Sequence, residues 1–199
     1  DSLTRWVLLN AEHQCAAWLS SGLRIPVAVN LSPLNLQDPA LPDLVKRIVS
    51  TGSFAGGLLE LELTENAVME DAELAMERLS TLSELGVTLS IDDFGSGQSS
   101  FAYLQRFPVG NLKIDRQFVM TLASDSGDDD TLLLRSMIEL GHNLGLVVTA
   151  EGVEDEISLK RLEALGCDYA QGYHIGRPMA AGALQDWLDG GLGAWSEVA

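Results

Sequence analysis

Two adjacent carboxylates followed by a glycine-punctuated loop, Asp92-Asp93-Phe94-Gly95-Ser96-Gly97, form the most reactive grouping in this 199-residue chain. At a strand end, neighbouring side chains leave on different sides, so one carboxylate can bridge two cations while the other reaches only one. The glycines let the backbone turn sharply and approach a ligand. Taken alone, the same residues also make an acidic turn. Their company favours metal. Glu62 and Asn30 project the same way from neighbouring strands, and an all-oxygen donor set suits magnesium or manganese. Several acids converging on one mouth without a cation would repel and raise one another's pKa.

Lys113 is the one base expected on the same face, and three roles are open to it. It can serve as a counter-ion for Glu60 and Glu62. It can orient a water or stabilise charge building on a phosphate oxygen. It can also form a Schiff base, as lysines in some barrels do. In Ala150-Glu151-Gly152-Val153-Glu154, Glu151 is expected to face inward at a strand end. Glu154 is either a site residue or a first-turn helix acid favoured by the dipole. His13, His142 and His174 lack ligand spacing and read as structural or surface residues. The sequence contains no Ser-His-Asp arrangement, zinc pattern or phosphate-binding P-loop.

The elements that must position these groups announce themselves by a repeated joint. Glu84-Leu85-Gly86, Asn143-Leu144-Gly145 and Ala164-Leu165-Gly166 each close an amphipathic helical stretch, with Leu as the last core residue and Gly as the helix stop. Strand-like residues follow each joint. The pattern predicts strands over 26–31, 58–64, 87–92, 111–115, 146–150 and 169–173. It predicts helices over 3–19, 41–50, 72–85, 99–107, 131–144, 157–165 and 181–188. This alternation implies parallel strands with helical crossovers, an α/β fold. The run 1–199 reads as one domain.

Side-chain parity separates a barrel from an open sheet. Leu59, Leu61 and Leu63 share one face of their strand, and Glu60 and Glu62 the other. Leu112 and Ile114 alternate with Lys113 and Asp115, Val148 and Ala150 with Thr149 and Glu151, and Leu89 and Ile91 with Ser90 and Asp92. Ala170 likewise opposes Gln171. A sheet covered by helices on both faces would read as nearly continuous apolar strands. One apolar and one polar face instead suit a TIM-like (β/α)8 barrel with its site at the strand C-termini. Six strands are visible where such a barrel has eight, so its first strands are expected upstream of residue 1.

Composition narrows the partners. The formal net charge of −17 opposes direct contact with DNA or RNA, which requires clustered Lys and Arg. Asp125 and Asp128-Asp129-Asp130 read as a solvated loop. Bound cations would let such an acidic protein accept an anionic substrate. Cys15 and Cys167 read as separate buried thiols, and no signal peptide or membrane-length apolar run is present, so a cytoplasmic location is expected.

Taken together, Val29-Asn30-Leu31-Ser32, Glu62-Leu63-Thr64-Glu65, Asp92-Asp93-Phe94-Gly95, Lys113-Ile114-Asp115-Arg116, Ala150-Glu151-Gly152-Val153-Glu154 and Gln171-Gly172-Tyr173 closely resemble the EAL family of bacterial cyclic di-GMP phosphodiesterases. The six segments occur in the family's order and cover nearly the whole chain. The resemblance implies a two-metal hydrolysis of cyclic di-GMP to linear pGpG in second-messenger signalling, with Mg2+ or Mn2+. It implies that Asn30, Glu62 and Asp92 hold one ion, and that Asp92 bridges to a second held also by Asp93 and Glu151. It places the attacking water at Lys113, with Gln171 beside it; Gln171 and Glu154 are the candidate substrate-binding residues.

The same resemblance makes Glu65 and Ser99 anchors of the loop after the aspartate pair, where Gln98 replaces a tyrosine common in the family. It implies a homodimer and upstream sensory or cyclase domains. The Glu-Ala-Leu segment that names the family belongs on a strand preceding residue 1. A non-catalytic cyclic di-GMP receptor or interaction module of the same fold is the alternative reading. Such modules usually lose metal ligands, whereas the ligands named above are present. An unrelated metal- or lysine-dependent barrel enzyme is a third.

Overall fold

All six predicted strands form, paired in chain order in one parallel sheet that curls as half of a barrel. The computed structural model describes residues 2–54, 56–97, 101–123 and 128–191. Gln98, Ser99 and Asp125 lie outside the described residues. The chain opens with α1 (Ser2–Ser20) and β1 (Val27–Leu31), then the short α2 (Pro33–Gln37) and α3 (Leu41–Val49). Next come β2 (Leu59–Thr64), α4 (Glu65–Met69), α5 (Ala72–Glu84) and β3 (Thr88–Phe94). The short α6 (Phe101–Leu104) precedes β4 (Asn111–Ile114), α7 (Arg116–Val119) and a 3-10 turn at Met120–Ala123. The last elements are α8 (Asp128–Asn143), β5 (Val147–Glu151), α9 (Glu156–Ala164), β6 (Tyr169–Gln171) and α10 (Ala181–Gly191).

The outward faces of the strands explain why these segments pack. Leu59, Leu61, Leu63, Leu89, Ile91, Leu112, Ile114, Val148 and Ala150 are all buried, and they share one core with Val45, Leu79, Leu82, Leu134, Ile138 and Leu162 from the helices. Each fully buried Leu or Ile contributes about 1.5–3 kcal/mol. The alternation is therefore strongly held: a one-residue slip would turn the leucines of β2 inward. The three Leu-Gly joints end their helices as expected, with Gly86, Gly145 and Gly166 at φ of 81°, 75° and 76°.

The structure departs from the sequence reading in several places. Pro33–Gln37, Glu65–Met69 and Arg116–Val119 are helical turns that the apolar periodicity did not reveal, because one turn is too short to carry a 3.6-residue repeat. Each begins at a polar cap. Thr64 accepts the Ala67 amide at 3.3 Å, and Asp115 leaves the strand to accept the Gln117 amide at 2.8 Å. Asp128-Asp129-Asp130 are the first turn of α8 rather than a loop, in keeping with the preference for acids at a helix N-terminus. Cys15 is buried, but Cys167 is only half-buried. Its thiol lies 3.5 Å from the Val148 carbonyl and 3.3 Å from that of Tyr169, and burial pushes it up to about 11.

Candidate active site

The strand register carries the polar residues onto one face. Asn30 pairs with Glu62, Glu62 with Ser90, and Ser90 with Asn111. Two residues further along, Lys113 pairs with Thr149, and beyond it Glu151 pairs with Gln171. Since alternate residues share a face, Asn30, Glu62, Asp92, Lys113, Glu151 and Gln171 all belong to the concave side of the half-barrel. Glu62, Asp92 and Lys113 are buried there, with 6%, 9% and 6% of their surfaces exposed. Asn30 and Gln171, on the two edge strands, are exposed.

The aspartate pair is arranged differently from the simple alternation expected. Ile91 pairs with Leu112 and Phe94 with Ile114, so Asp92 and Asp93 together stand opposite the single residue Lys113. This is a bulge, and Asp93 takes it up with φ of 53°, a left-handed conformation that aspartate tolerates better than most side chains. The consequence is chemical. Rather than leaving on different sides, Asp92, Asp93 and Glu151 each offer a carboxylate oxygen within 4.8 Å of the others. Strained backbone of this kind concentrates at functional sites.

Lys113 occupies the centre. Its Nζ lies 2.7 Å from Glu62 Oε1, 2.5 Å from Glu151 Oε1 and 3.6 Å from Asp92 Oδ1. The counter-ion role expected towards Glu60 is not seen. Glu60 Oε1 instead accepts from Ser90 Oγ at 2.7 Å and Asn111 Nδ2 at 2.8 Å, one layer deeper. The sequence reading did not foresee this polar layer, which closes the floor beneath the lysine.

One ammonium cannot neutralise three carboxylates, and the titration behaviour reflects that. Burial pushes Glu62 and Glu151 up; their contacts with Lys113 oppose the rise, while repulsion from Asp92 adds to it. Asp93 is also pushed up, first by burial and then by Asp92 and Asp115. Burial disfavours the Lys113 ammonium, but its hydrogen bonds to Glu151 and Glu62 prevail and hold its pKa above the usual lysine range. Excess negative charge in an all-oxygen donor set is what a hard divalent cation requires. The residues present therefore fit such an ion.

Behind the aspartates, Glu65 is 1% exposed at the start of α4, and its Oε2 accepts the Gly95 amide at 2.8 Å. Among the described residues its Oε1 has no hydrogen-bond partner. The expected partner Ser99 lies outside the described residues. Gly152, at φ of 73°, follows Glu151 directly, and a Cβ there would collide with Arg116. That close approach seats the start of α7 against the end of β5.

Glu154 is exposed and stands outside the Asp92, Asp93 and Glu151 group. It is not a first-turn helix acid either: Asp155 caps α9, accepting the Ser158 amide at 2.7 Å, and Glu156 opens the helix. Among the described residues no histidine joins the Asp92, Asp93 and Glu151 group, and His142 of α8 is bound to Asp168 at 2.8 Å.

The sequence profile of the EAL domain matches residues 1–178. The chain belongs to the EAL family. Among curated relatives of this EAL domain, the bifunctional diguanylate cyclase/cyclic di-GMP phosphodiesterase MucR of Pseudomonas aeruginosa is 43% identical, over 90% of this chain and 26% of its own length. The cyclic di-GMP phosphodiesterase NbdA of the same organism is 39% identical, over 94% of this chain and 24% of its own length. The EAL domain thus spans about a quarter of the length of these relatives. Its backbone superimposes on a MucR phosphodiesterase solved as a cyclic di-GMP complex, with a TM-score of 0.86 and 42% identity over 92% of this chain and 74% of that one. The EAL domain of Mycobacterium smegmatis DcpA gives 0.87 at 36% identity, over 95% of this chain and 85% of its own.

Proposed function

We propose that this EAL domain hydrolyses one phosphodiester bond of cyclic di-GMP, releasing linear pGpG, with two divalent cations, Mg2+ or Mn2+. The observation that carries the reading is the meeting of Asp92, Asp93 and Glu151 within 4.8 Å, beside a lysine shared by three carboxylates. The substrate comes from the cyclic di-GMP phosphodiesterases among the relatives and from the cyclic di-GMP complex of MucR.

In this reading Asn30, Glu62 and Asp92 would hold one ion, and Asp92, Asp93 and Glu151 the other. Bound there, two cations acidify a water and stabilise both the attacking and the leaving oxygens. Water adds to phosphorus, the bond to the ribose oxygen breaks, and that oxygen takes up a proton. Lys113 has three N–H donors, and one directed at the attacking water or the phosphate orients the reacting groups. Glu62 and Glu151 hold the ammonium by its other donors. Gln171, opposite Glu151 in the ladder, supports the water from the side of β6. Glu154 lies on the substrate side. Glu65 fixes the loop after the aspartate pair through Gly95 and, by resemblance, Ser99.

The retention of Asn30, Glu62, Asp92, Asp93, Lys113 and Glu151 favours catalysis over a role as a receptor alone. We place the domain in the cytoplasm, as a homodimer beneath upstream sensory or cyclase domains. No helix among the described residues is long and apolar enough to cross a membrane. The test is incubation of the full-length protein with cyclic di-GMP and either Mg2+ or Mn2+. Release of pGpG is expected, and none with either metal would overturn the enzymatic reading.

A further inference from the structure

The segment after β6 is fastened to the end of β5 by its backbone. The Val153 amide donates to the Gln171 carbonyl at 3.0 Å, and the His174 amide to the Val153 carbonyl at 3.0 Å. Between them Gly172 lies so close that a Cβ would collide with the backbone N and O of Val153. Two further amides, of Ile175 and Gly176, donate to the Gly172 carbonyl at 3.1 Å each. Residues 171–176 thus form a tight turn, two residues from Glu151 across the ladder, at the rim of the carboxylate cluster.

This turn presents Tyr173 with 54% of its surface exposed. The Arg177 guanidinium lies over the ring, 4.8 Å from its centroid. Arg177 is itself exposed, and among the described residues no carboxylate lies within ion-pair distance of it. In a chain with 29 acids and 12 bases, an arginine that directly follows this turn and has no carboxylate partner among the described residues is unusual. Stacking on an aromatic face fixes the guanidinium plane while leaving its N–H fork free. A planar fork of this kind matches the O6 and N7 acceptors of guanine, whereas adenine offers a donor in place of O6.

We propose that Arg177, oriented by Tyr173, reads the O6/N7 edge of one guanine of cyclic di-GMP and sets the preference for guanine over adenine. The assignment rests on the proposed reaction only for the identity of the ligand. It makes Arg177 a specificity residue and Tyr173 a positioning residue. A phosphate contact is the competing role for the cation, and it would not distinguish the two bases.

The test compares dissociation constants for cyclic di-GMP and cyclic di-AMP, measured calorimetrically on the full-length protein with Ca2+ as the divalent ion. The parent protein should favour cyclic di-GMP. Arg177→Ala and Arg177→Lys should each lower that preference by about tenfold, since a bidentate base contact is worth that much discrimination. Tyr173→Leu should lower it less, and Tyr173→Phe, which keeps the ring, should restore it. Equal weakening towards both ligands in the Arg177 variants would assign a phosphate or structural role and overturn the proposal. An unaltered preference would overturn it as well. A parent protein that binds neither ligand would instead remove the cyclic di-GMP reading itself.

Discussion

Lys113 Nζ and Glu151 Oε1 meet at 2.5 Å although the ladder sets Lys113 opposite Thr149, so the glutamate reaches back diagonally across β4 and β5. The lysine is thereby the hub that keeps Glu62, Asp92 and Glu151 together. Replacing it by methionine leaves three acidic groups in a buried site with no internal cation. Without divalent metal, Lys113→Met should cost about 3–5 kcal/mol, as breaking a buried ion pair does. Denaturant titrations with chelator and with Mn2+ check this, and Mn2+ should recover much of the loss. A variant equally stable in both conditions would contradict the shared-charge description.

The raised carboxyls make a second prediction. Glu62, Glu151 and Asp93 hold protons more tightly folded than unfolded. Between the ordinary carboxylate range and their raised values the folded chain binds more protons, so these groups withdraw stability as pH rises. Lys113, also raised, supplies stability below the ordinary lysine range and loses it only at strongly alkaline pH. Thermal midpoints measured with chelator and with Mn2+ should therefore diverge over the interval that opens above the ordinary carboxylate range. A gap that narrows over this interval would contradict the account.

Glu65 tests the link between α4 and the aspartate loop. It is buried, and its Oε2 holds the Gly95 amide at 2.8 Å. Glu65→Ala removes that acceptor and should cost about 1–3 kcal/mol, with a fall in turnover. Glu65→Gln keeps an oxygen for Gly95 and should lose less of both. Gly97→Ala approaches the same pair from the other side, since its Cβ would sit 2.8 Å from Glu65 Oε1 and 2.6 Å from Asn66 Oδ1. Paired stability and activity assays decide it; equal turnover in the alanine and glutamine variants would remove Glu65 from loop anchoring.

The bulge separates strain from chemistry at Asp93. Asp93→Gly relieves the positive φ and should leave the chelated protein at least as stable as the parent. Asp93→Ala keeps the strain and should be less stable than the glycine variant by roughly 1 kcal/mol. Both should bind Mn2+ more weakly, because both lose a carboxylate. Mn2+ titration alongside thermal melts distinguishes the two effects, and unchanged Mn2+ affinity would remove Asp93 from the ligand set.

Much of this site was legible because two-residue parity is a strong signal wherever one strand face is buried. Leu59, Leu61 and Leu63 fixed the direction of Glu62, and Ile114 that of Lys113. The bulge was not legible. Asp92-Asp93 has no feature in sequence that separates two residues facing one from regular alternation, and only the register with Leu112 and Ile114 reveals it. The Glu60–Ser90–Asn111 layer was hidden for a different reason: its members come from three strands, and their pairing depends on register. Tyr173 stands in one of the family-like segments, but Arg177 carries no signal of its own, because a four-residue spacing in a turn has no periodic pattern. The short helices at Pro33, Glu65 and Arg116 were missed for want of length.

The most direct test of the central claim is the rate of pGpG release by Asp92→Asn in the full-length protein with Mn2+. Asparagine keeps the size of the side chain and removes the charge that would bridge two ions. The account predicts a loss of at least about 100-fold relative to the parent, the scale of an interaction worth several kcal/mol in the transition state. A variant that retains most of the parent's activity would contradict the placement of Asp92 between the metals.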